Sequence, residues 1–383
     1  MNFERDPLAG KIPVTLITGF LGSGKTTLIS KLVKHPDMNR VAVVINEMGE
    51  IGIDHDLVTM SSENITLLAN GCICCSVRTD MQETLRELFA QRRAGLMADF
   101  DRVIVETTGL ADPTPVVQTL VSDTLLAAQY RLDGVVTLVD ALHGLHQIQH
   151  QSEAVKQIAL ADRIFITKSD MTSTAALLTP GDGHGAGHLH ELQASIFSIN
   201  PHAEVSLIVH GDISPSALTN LGLGSARASK ATLSFLGESL ISPPQGVGLA
   251  DTVGAASERY LGKRSTLHDP NITTVSLRFS NPFSWAGFSS ALDLLATLRG
   301  PDLLRVKGIV NVEGQPVVVQ GVQHIFHPPI SLDRWPSSDT NTRMIFITRN
   351  ISGNTIRNLF DAVGAVHVDS QAQPSGAAKQ LAP

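Results

Sequence analysis

The octapeptide Gly19-Phe-Leu-Gly22-Ser23-Gly24-Lys25-Thr26 follows an apolar run, Pro13–Thr18, and precedes a helical pattern over Thr26–Lys34. It fits G-x-x-x-x-G-K-[ST], and the strand before and the helix after are the context that motif requires. A strand feeding a glycine-rich turn into a helix constrains the fold strongly. The next parallel strand must be reached by a crossover, so the chain has to build a βα-type sheet. Further Val- and Ile-rich strands are expected at Arg40–Ile45, Arg102–Val105, Gly134–Val139 and Arg163–Thr167. Helical patterns fall at Arg78–Arg93, Pro115–Gln129, Glu153–Ala161 and His190–Ile199. Continuous apolar strands alternating with helices predict a parallel sheet buried on both faces. The fold class expected is therefore α/β: a P-loop nucleotide-binding parallel sheet with helices on both faces, followed by a smaller α+β C-terminal domain.

The second domain begins near Ile272. Thr274–Phe279 alternates like a half-buried strand, and Trp285–Arg299 reads as a helix with Phe288, Leu292, Leu295 and Leu298 on one stripe. Strands are expected at Leu304–Val312, Val317–Val322 and Arg343–Thr348, and a helix near Thr355–Ala362. The divisions expected are 1–211 for the nucleotide domain, 212–270 for a Ser-, Gly- and Leu-rich linker or insert, 271–368 for the C-terminal domain, and 369–383 for a disordered tail.

In the motif, the glycines let backbone N–H groups curl around phosphates without Cβ clashes. Gly19, Gly22, Ser23, Gly24, Lys25, Thr26 and Thr27 are the expected cradle, with Lys25 reaching the β- and γ-phosphates and the Thr26 hydroxyl on Mg²⁺. Glu106 closes the strand Arg102–Val105 and opens Glu-Thr-Thr-Gly-Leu-Ala-Asp-Pro. Its carboxylate is placed to hold Mg²⁺ directly or through water, and Gly109 is free to approach the γ-phosphate. Thr167-Lys168-Ser169-Asp170 resembles the guanine motif N-K-x-D, with Thr167 in the asparagine position. Lys168 can stack its stem over a base, and Asp170 can accept from guanine's N1–H and exocyclic amine. GTP is therefore favoured over ATP. Asn46-Glu47-Met48-Gly49-Glu50-Ile51-Gly52-Ile53-Asp54 lies between these motifs, a segment suited to being ordered by γ-phosphate and Mg²⁺ and released on hydrolysis.

All three cysteines of the chain, Cys72, Cys74 and Cys75, lie in one short run expected to form a loop. Structural cysteines would be scattered through a core as small hydrophobes. Clustered thiols suggest a soft-metal site or a redox centre. Three thiolates leave one position of a tetrahedral Zn²⁺ for water, for Glu50, or for a ligand from a recipient protein. Cu(I) and Co²⁺ suit the same donors, and a Cys74–Cys75 or Cys72–Cys75 disulfide is the redox alternative. His184, His188 and His190 sit in an expected Gly-rich loop, Pro180–His190, either a weak loading site or incidental histidines. His143, His146 and His150 are expected on an exposed helix face.

A net charge of −7 and 4% aromatic content give no basic field or stacking platform for nucleic acid. There is no apolar stretch of membrane-spanning length, and Met1–Asp6 has no signal core. A cytoplasmic location with free thiols is expected.

Together these residues resemble the CobW-type metal-chaperone GTPases. The resemblance runs through Gly19–Thr27, Gly49–Asp54, Cys72–Cys75, Glu106–Pro113 and Thr167–Asp170, and in the C-terminal part around Arg305-Val-Lys-Gly308. It departs at Thr167, and at Thr108, where serine is commoner. The resemblance implies that the thiol run is the metal site and that GTP hydrolysis accompanies transfer of metal, zinc first, to a client. Lys25 and Glu106 are the catalytic candidates. Cys72, Cys74, Cys75 and Glu50 are the zinc candidates, and Thr26 and Glu106 those for Mg²⁺. The partners expected are an apo client metalloprotein and, where a second protomer completes the site, a homodimer; nucleic acid and membranes are not. A metal-responsive regulatory GTPase, a chaperone for cobalt or iron, and a small-molecule kinase are the rival readings.

Overall fold

The computed structural model describes residues 8–45, 58–61, 65–68, 73–76, 81–172, 184–223, 232 and 272–371. The expected motif segment 46–54, Cys72, most of the linker 212–270 and residues 372–383 lie outside them. Two sheets organise the described chain. The first has nine strands: β1 (Ile12–Gly19), β2 (Val41–Ile45), β3 (Val58–Ser61), β4 (Ile65–Leu68), β5 (Ile73–Ser76), β6 (Arg102–Glu106), β7 (Tyr130–Asp140), β8 (Arg163–Thr167) and β9 (Glu204–Leu207). Their order is β3-β4-β5-β2-β6-β1-β7-β8-β9. From β5 to β9 every pairing is parallel, and β3 and β4 extend the sheet antiparallel.

Both faces of this sheet are covered because its strands carry apolar residues in both phases. Val14, Leu16, Ala42, Val44, Val103 and Val105 face α2 (Met81–Arg93), α3 (Thr114–Ser122) and α4 (Thr124–Gln129), meeting Leu85, Leu88, Val117, Leu120 and Leu126. Their neighbours in sequence, Ile17, Val43, Ile45 and Ile104, face α1 (Lys25–Leu32) through Leu28, Ile29 and Leu32. Ile164 and Ile166 of β8 pack on α5 (Gly144–His150), α6 (Ser152–Leu160) and α7 (His184–Ile199). Complete burial of one such side chain stabilises the fold by about 1.5–3 kcal/mol.

Several elements differ from expectation, each for a local reason. The single helix expected over Pro115–Gln129 is two. Asp123 ends α3 and caps α4, its Oδ1 accepting from the N–H groups of Leu125 at 2.9 Å and Leu126 at 3.1 Å. The cysteine run is not wholly a loop: the backbone of Ile73–Ser76 is strand β5, pairing with β2 and β4. The expected loop Pro180–His190 becomes helical from His184 onward. Burial of Leu192, Ile196 and Ile199 on α7 outweighs the two glycines of its first turn.

The second sheet is antiparallel: β10 (Ile272–Phe279), β11 (Leu303–Val312), β12 (Gln315–Val322), β13 (Ile325–Phe326), β14 (Ile330–Ser331) and β15 (Thr342–Arg349). One face takes α8 (Trp285–Arg299) and α9 (Gly353–Gln371). Phe288, Leu292, Leu295, Ile356 and Phe360 meet Val306, Val310, Val319, Met344 and Phe346 there. Leu298 was expected on that stripe but is 67% exposed. At 100° per residue it stands about 80° around the axis from Phe288. Helix α9 continues through Gln371, so the first residues of the expected tail are helical.

The other face of this sheet turns to the nucleotide domain. Val322 enters the core around Leu132 and Val135, and Leu304 and Ile347 enter that of Ile164 and Ile196. At the centre, buried Asp162 receives Arg305 Nη2 at 2.8 Å and pairs with Lys307 Nζ. The Arg-Val-Lys-Gly segment singled out in the sequence is thus an interdomain ion cluster. Among the described residues, no helix is long and apolar enough to cross a membrane.

Candidate nucleotide site

The carboxyl ends of β1, β6 and β8 open onto one cleft of about 390 Å³, lined by Gly22, Gly24, Lys25, Thr26, Thr27, Glu106, Gly109 and Lys168 together with Leu21, Thr107 and Thr108. Eight expected site residues are therefore brought together from three separate segments. Ligands bind outside the carboxyl ends of the strands in such sheets because loops and helix N-termini converge there. Gly24 caps α1 at φ +94°, a left-handed conformation that needs no Cβ, and so aims the first turn of the helix at the cleft.

Lys25 is 8% exposed, and its Nζ donates to the carbonyl of Gly19 at 2.7 Å and of Phe20 at 3.3 Å. The ammonium thus stands inside the loop that its own backbone forms. The Ser23 hydroxyl is buried and has no hydrogen-bond partner among the described residues. Ser23 and Gly19 form the back of the loop rather than the cleft wall. Thr107 anchors the opposite wall: its N–H donates to Ile17 O at 3.0 Å and its hydroxyl to Thr18 Oγ1 at 2.8 Å. Gly109 approaches the P-loop so closely that a Cβ there would lie 2.8 Å from Leu21 N and 2.9 Å from Leu21 Cα. Only glycine permits that contact.

Thr26 and Glu106 bring a hydroxyl and a carboxylate to the same cleft, a hard oxygen donor set of the kind Mg²⁺ takes. Lys168 adopts φ +57°, and its Nζ meets buried Asp140 Oδ2 at 2.7 Å, which lays the side chain along the cleft. Thr167 Oγ1 donates to Ser23 O at 2.8 Å, joining the end of β8 to the P-loop. Asp170 lies outside the cleft lining, 3.9 Å from His210 Nε2.

Sequence reasoning missed Asp140, Gln157 and Asp112. Asp140 has a local signal, a carboxylate ending an apolar strand. It both fixes Lys168 and accepts from the Leu142 and His143 N–H groups. Gln157 is 1% exposed on α6, and its Nε2 donates to Gly109 O at 3.2 Å and Ala111 O at 3.0 Å. Nothing in its sequence surroundings marks it.

The thiol run reaches this site through strand register. Cys75 pairs with Val44, Val44 with Val105, and Val105 with Leu16, so one row of the sheet crosses β5, β2, β6 and β1. At about 4.8 Å per strand, the Cys75 backbone is roughly 10 Å from β6, just before Glu106. Glu50 and Cys72 are outside the described residues. Among the described residues, no group of three His, Cys, Asp or Glu side chains is arranged to hold a metal ion. His143, His146 and His150 are exposed, as expected, with His146 and His150 stacked at 4.2 Å. His188 and His190 ride on α7.

A family model described as the CobW/HypB/UreG nucleotide-binding domain matches residues 13–182, and the cobalamin synthesis protein CobW C-terminal domain matches residues 272–364. The chain belongs to the CobW family. It is similar to zinc chaperone YjiA of Escherichia coli, with 31% identity over 352 residues, covering 91% of this chain and 98% of that one. It is also similar to zinc chaperone CobW of Pseudomonas aeruginosa, at 28% identity over 91% of this chain and 90% of that protein. Among solved structures, Zn(II)-bound YjiA GTPase from E. coli superimposes with a TM-score of 0.68 at 30% identity, covering 92% of this chain and 99% of that one. The α/β nucleotide domain followed by a smaller sheet domain is the architecture of this CobW family member.

Proposed function

We propose that the chain is a GTP-hydrolysing metallochaperone that carries zinc on Cys72, Cys74 and Cys75 and delivers it to an apo client metalloprotein. The observation that carries the reading is the shared row of the sheet. The backbone of Cys74 and Cys75 in β5 and the Glu106 end of β6 are two strands apart in one sheet. Motion at the nucleotide site therefore has a short path to the cargo. The zinc chaperones among its relatives, YjiA and CobW, support the choice of metal.

In this reading Gly19–Thr27 wraps the triphosphate, Lys25 neutralises the β- and γ-phosphates, and Lys168 with Asp170 reads guanine. Lys25 must exchange its carbonyl partners Gly19 and Phe20 for phosphate oxygens, a local side-chain movement within the loop. Thr26 and Glu106 would hold Mg²⁺, which supplies charge neutralisation between the phosphates when bound. Lys25 and the loop N–H groups stabilise the charge that develops as water attacks the γ-phosphorus. Zinc is cargo rather than resident cofactor. A three-thiolate set leaves a position from which a client ligand can begin exchange.

The test is a zinc titration of wild type and Cys74→Ser with GDP, with a non-hydrolysable GTP analogue and without nucleotide. The reading expects nucleotide-dependent affinity in wild type and a large loss in the variant. Equal affinity in all three states removes the coupling. Hydrolysis without passage of isotopically labelled zinc to an apo client would leave a metal-responsive regulatory GTPase instead.

A further inference from the structure

The segment that follows Glu106 is held by the C-terminal domain as well as by its own. Gln157 Nε2 bridges the carbonyls of Gly109 and Ala111 from α6, and Gln157's own main-chain carbonyl accepts from Thr137 Oγ1 at 2.7 Å. One residue further on, Asp112 uses its two oxygens differently. Oδ1 accepts from the N–H and hydroxyl of Thr114, fixing the start of α3. Oδ2 receives Lys156 Nζ at 3.5 Å and Gln323 Nε2 at 3.3 Å. Gln323 occupies the turn between β12 and β13, at φ +54°, with its N–H on Leu304 O at 3.4 Å. Val322 beside it is fully buried in the nucleotide-domain core. The turn is thus clamped to both domains, and its amide meets Asp112, three residues from Gly109.

We propose that Gln323 and Gln157 are positioning residues for hydrolysis, and that the C-terminal domain supplies part of the hydrolysis-competent arrangement by holding Gly109–Asp112 through Asp112. This rests on the GTP-hydrolysis reading above. A shift of Gly109 strains the bonds from Gln157 to the carbonyls at 109 and 111 and, through residue 112, the bond from Gln323. Such a movement pulls on Gln323. By linkage, a partner that binds the displaced β12–β13 turn changes nucleotide affinity by the same factor that nucleotide changes affinity for the partner. The C-terminal domain is then a lever on hydrolysis rather than a passive appendage.

The experiment uses the full chain as Gln323→Ala, Gln323→Glu and Gln323→Lys. Multiple-turnover GTP hydrolysis, GDP affinity, and deuterium exchange of the turn at residues 320–327 with GDP and with a GTP analogue are measured. Gln323→Ala is expected to lower kcat by roughly fivefold or more, as misplacement of a positioned segment does, with GDP affinity unchanged within about twofold. It should also abolish the nucleotide dependence of exchange at the turn. Gln323→Glu, a carboxylate facing Asp112, should lose more, and Gln323→Lys, which keeps a donor there, should retain both properties. That ordering follows the chemistry of the contact and would not arise from packing alone. A wild type that hydrolyses GTP while all three variants match it, or whose turn exchanges identically in both nucleotides, overturns the proposal and leaves the GTPase reading intact. A wild type that does not hydrolyse GTP defeats the functional reading itself.

Discussion

The hydroxyl of Thr167 donates to the main-chain carbonyl of Ser23 at 2.8 Å, across a contact buried between the turn after β8 and the P-loop. A threonine in the asparagine position of the sequence motif therefore still ties the end of β8 to the P-loop. Thr167→Val removes that donor at almost constant volume and leaves Ser23 O buried without it. An unmade buried hydrogen bond costs about 1–3 kcal/mol. Fluorescent GDP and GTP-analogue titrations should show affinity lower by roughly 5- to 100-fold, with far-UV circular dichroism unchanged.

Gly109 meets Leu21 where a side chain has no room. Gly109→Ala places a Cβ 2.7–2.9 Å from Leu21 side-chain and main-chain atoms, and the main chain cannot yield as a flexible side chain would. The segment must retreat from the P-loop tip. Single-turnover assays should find hydrolysis reduced about 100-fold, the scale of a 1 Å misplacement of a reacting group. Wild-type hydrolysis in this variant would mean that Gly109 does not approach the γ-phosphate.

At the interdomain face Asp162 meets two cations, Arg305 at 3% exposure and Lys307 beside it. Burial alone would raise its pKa, but Arg305 and Lys307 outweigh burial and hold it below the usual carboxylate range. Asp162→Asn removes the carboxylate charge from both cations. Breaking a buried pair in this way costs about 3–5 kcal/mol. Chemical denaturation should show that loss, and the double variant Asp162→Asn/Lys307→Met should recover part of it.

Acid should act on this same face. Burial pushes His202 and His327 down to about 4, with Lys307 adding to the effect at His202 and Arg305 at His327. Both are neutral in the folded chain where an unfolded histidine, near 6.5, binds a proton. The unfolded state therefore takes up more protons between those values, and stability falls as pH drops from about 6.5 to 4. Each histidine contributes on the order of 3 kcal/mol over that window. The contribution of Asp162 is lost lower, below the unfolded carboxylate value near 3.9. Denaturant midpoints recorded from pH 7 to 4 should fall for wild type and fall less for His202→Gln and His327→Gln. A flat wild-type profile would contradict the assignment.

Local chemistry made much of this protein legible before any coordinates. A glycine-rich turn between an apolar strand and a helix can do little except form a βα phosphate loop, and Gly22, Gly24, Lys25, Thr26 and Thr27 all line the cleft. Strand-end residues Glu106 and Lys168 were readable for the same reason: a parallel sheet presents its carboxyl ends together. Those signals need only neighbours in sequence. Contacts between distant segments left no such mark. Gln157 and Gln323 are ordinary polar residues in the sequence, and their contacts, like the role of Asp112 within its motif, appear only when α6, the post-Glu106 segment and the β12–β13 turn meet. The extension of the expected His190–Ile199 helix back to His184 and the break at Asp123 were likewise decided by burial and capping rather than by composition. Sequence by itself determined which chemistry the chain carries. Tertiary structure decided which residues hold it in place, because long-range hydrogen bonds and interdomain packing depend on proximity that no local pattern encodes.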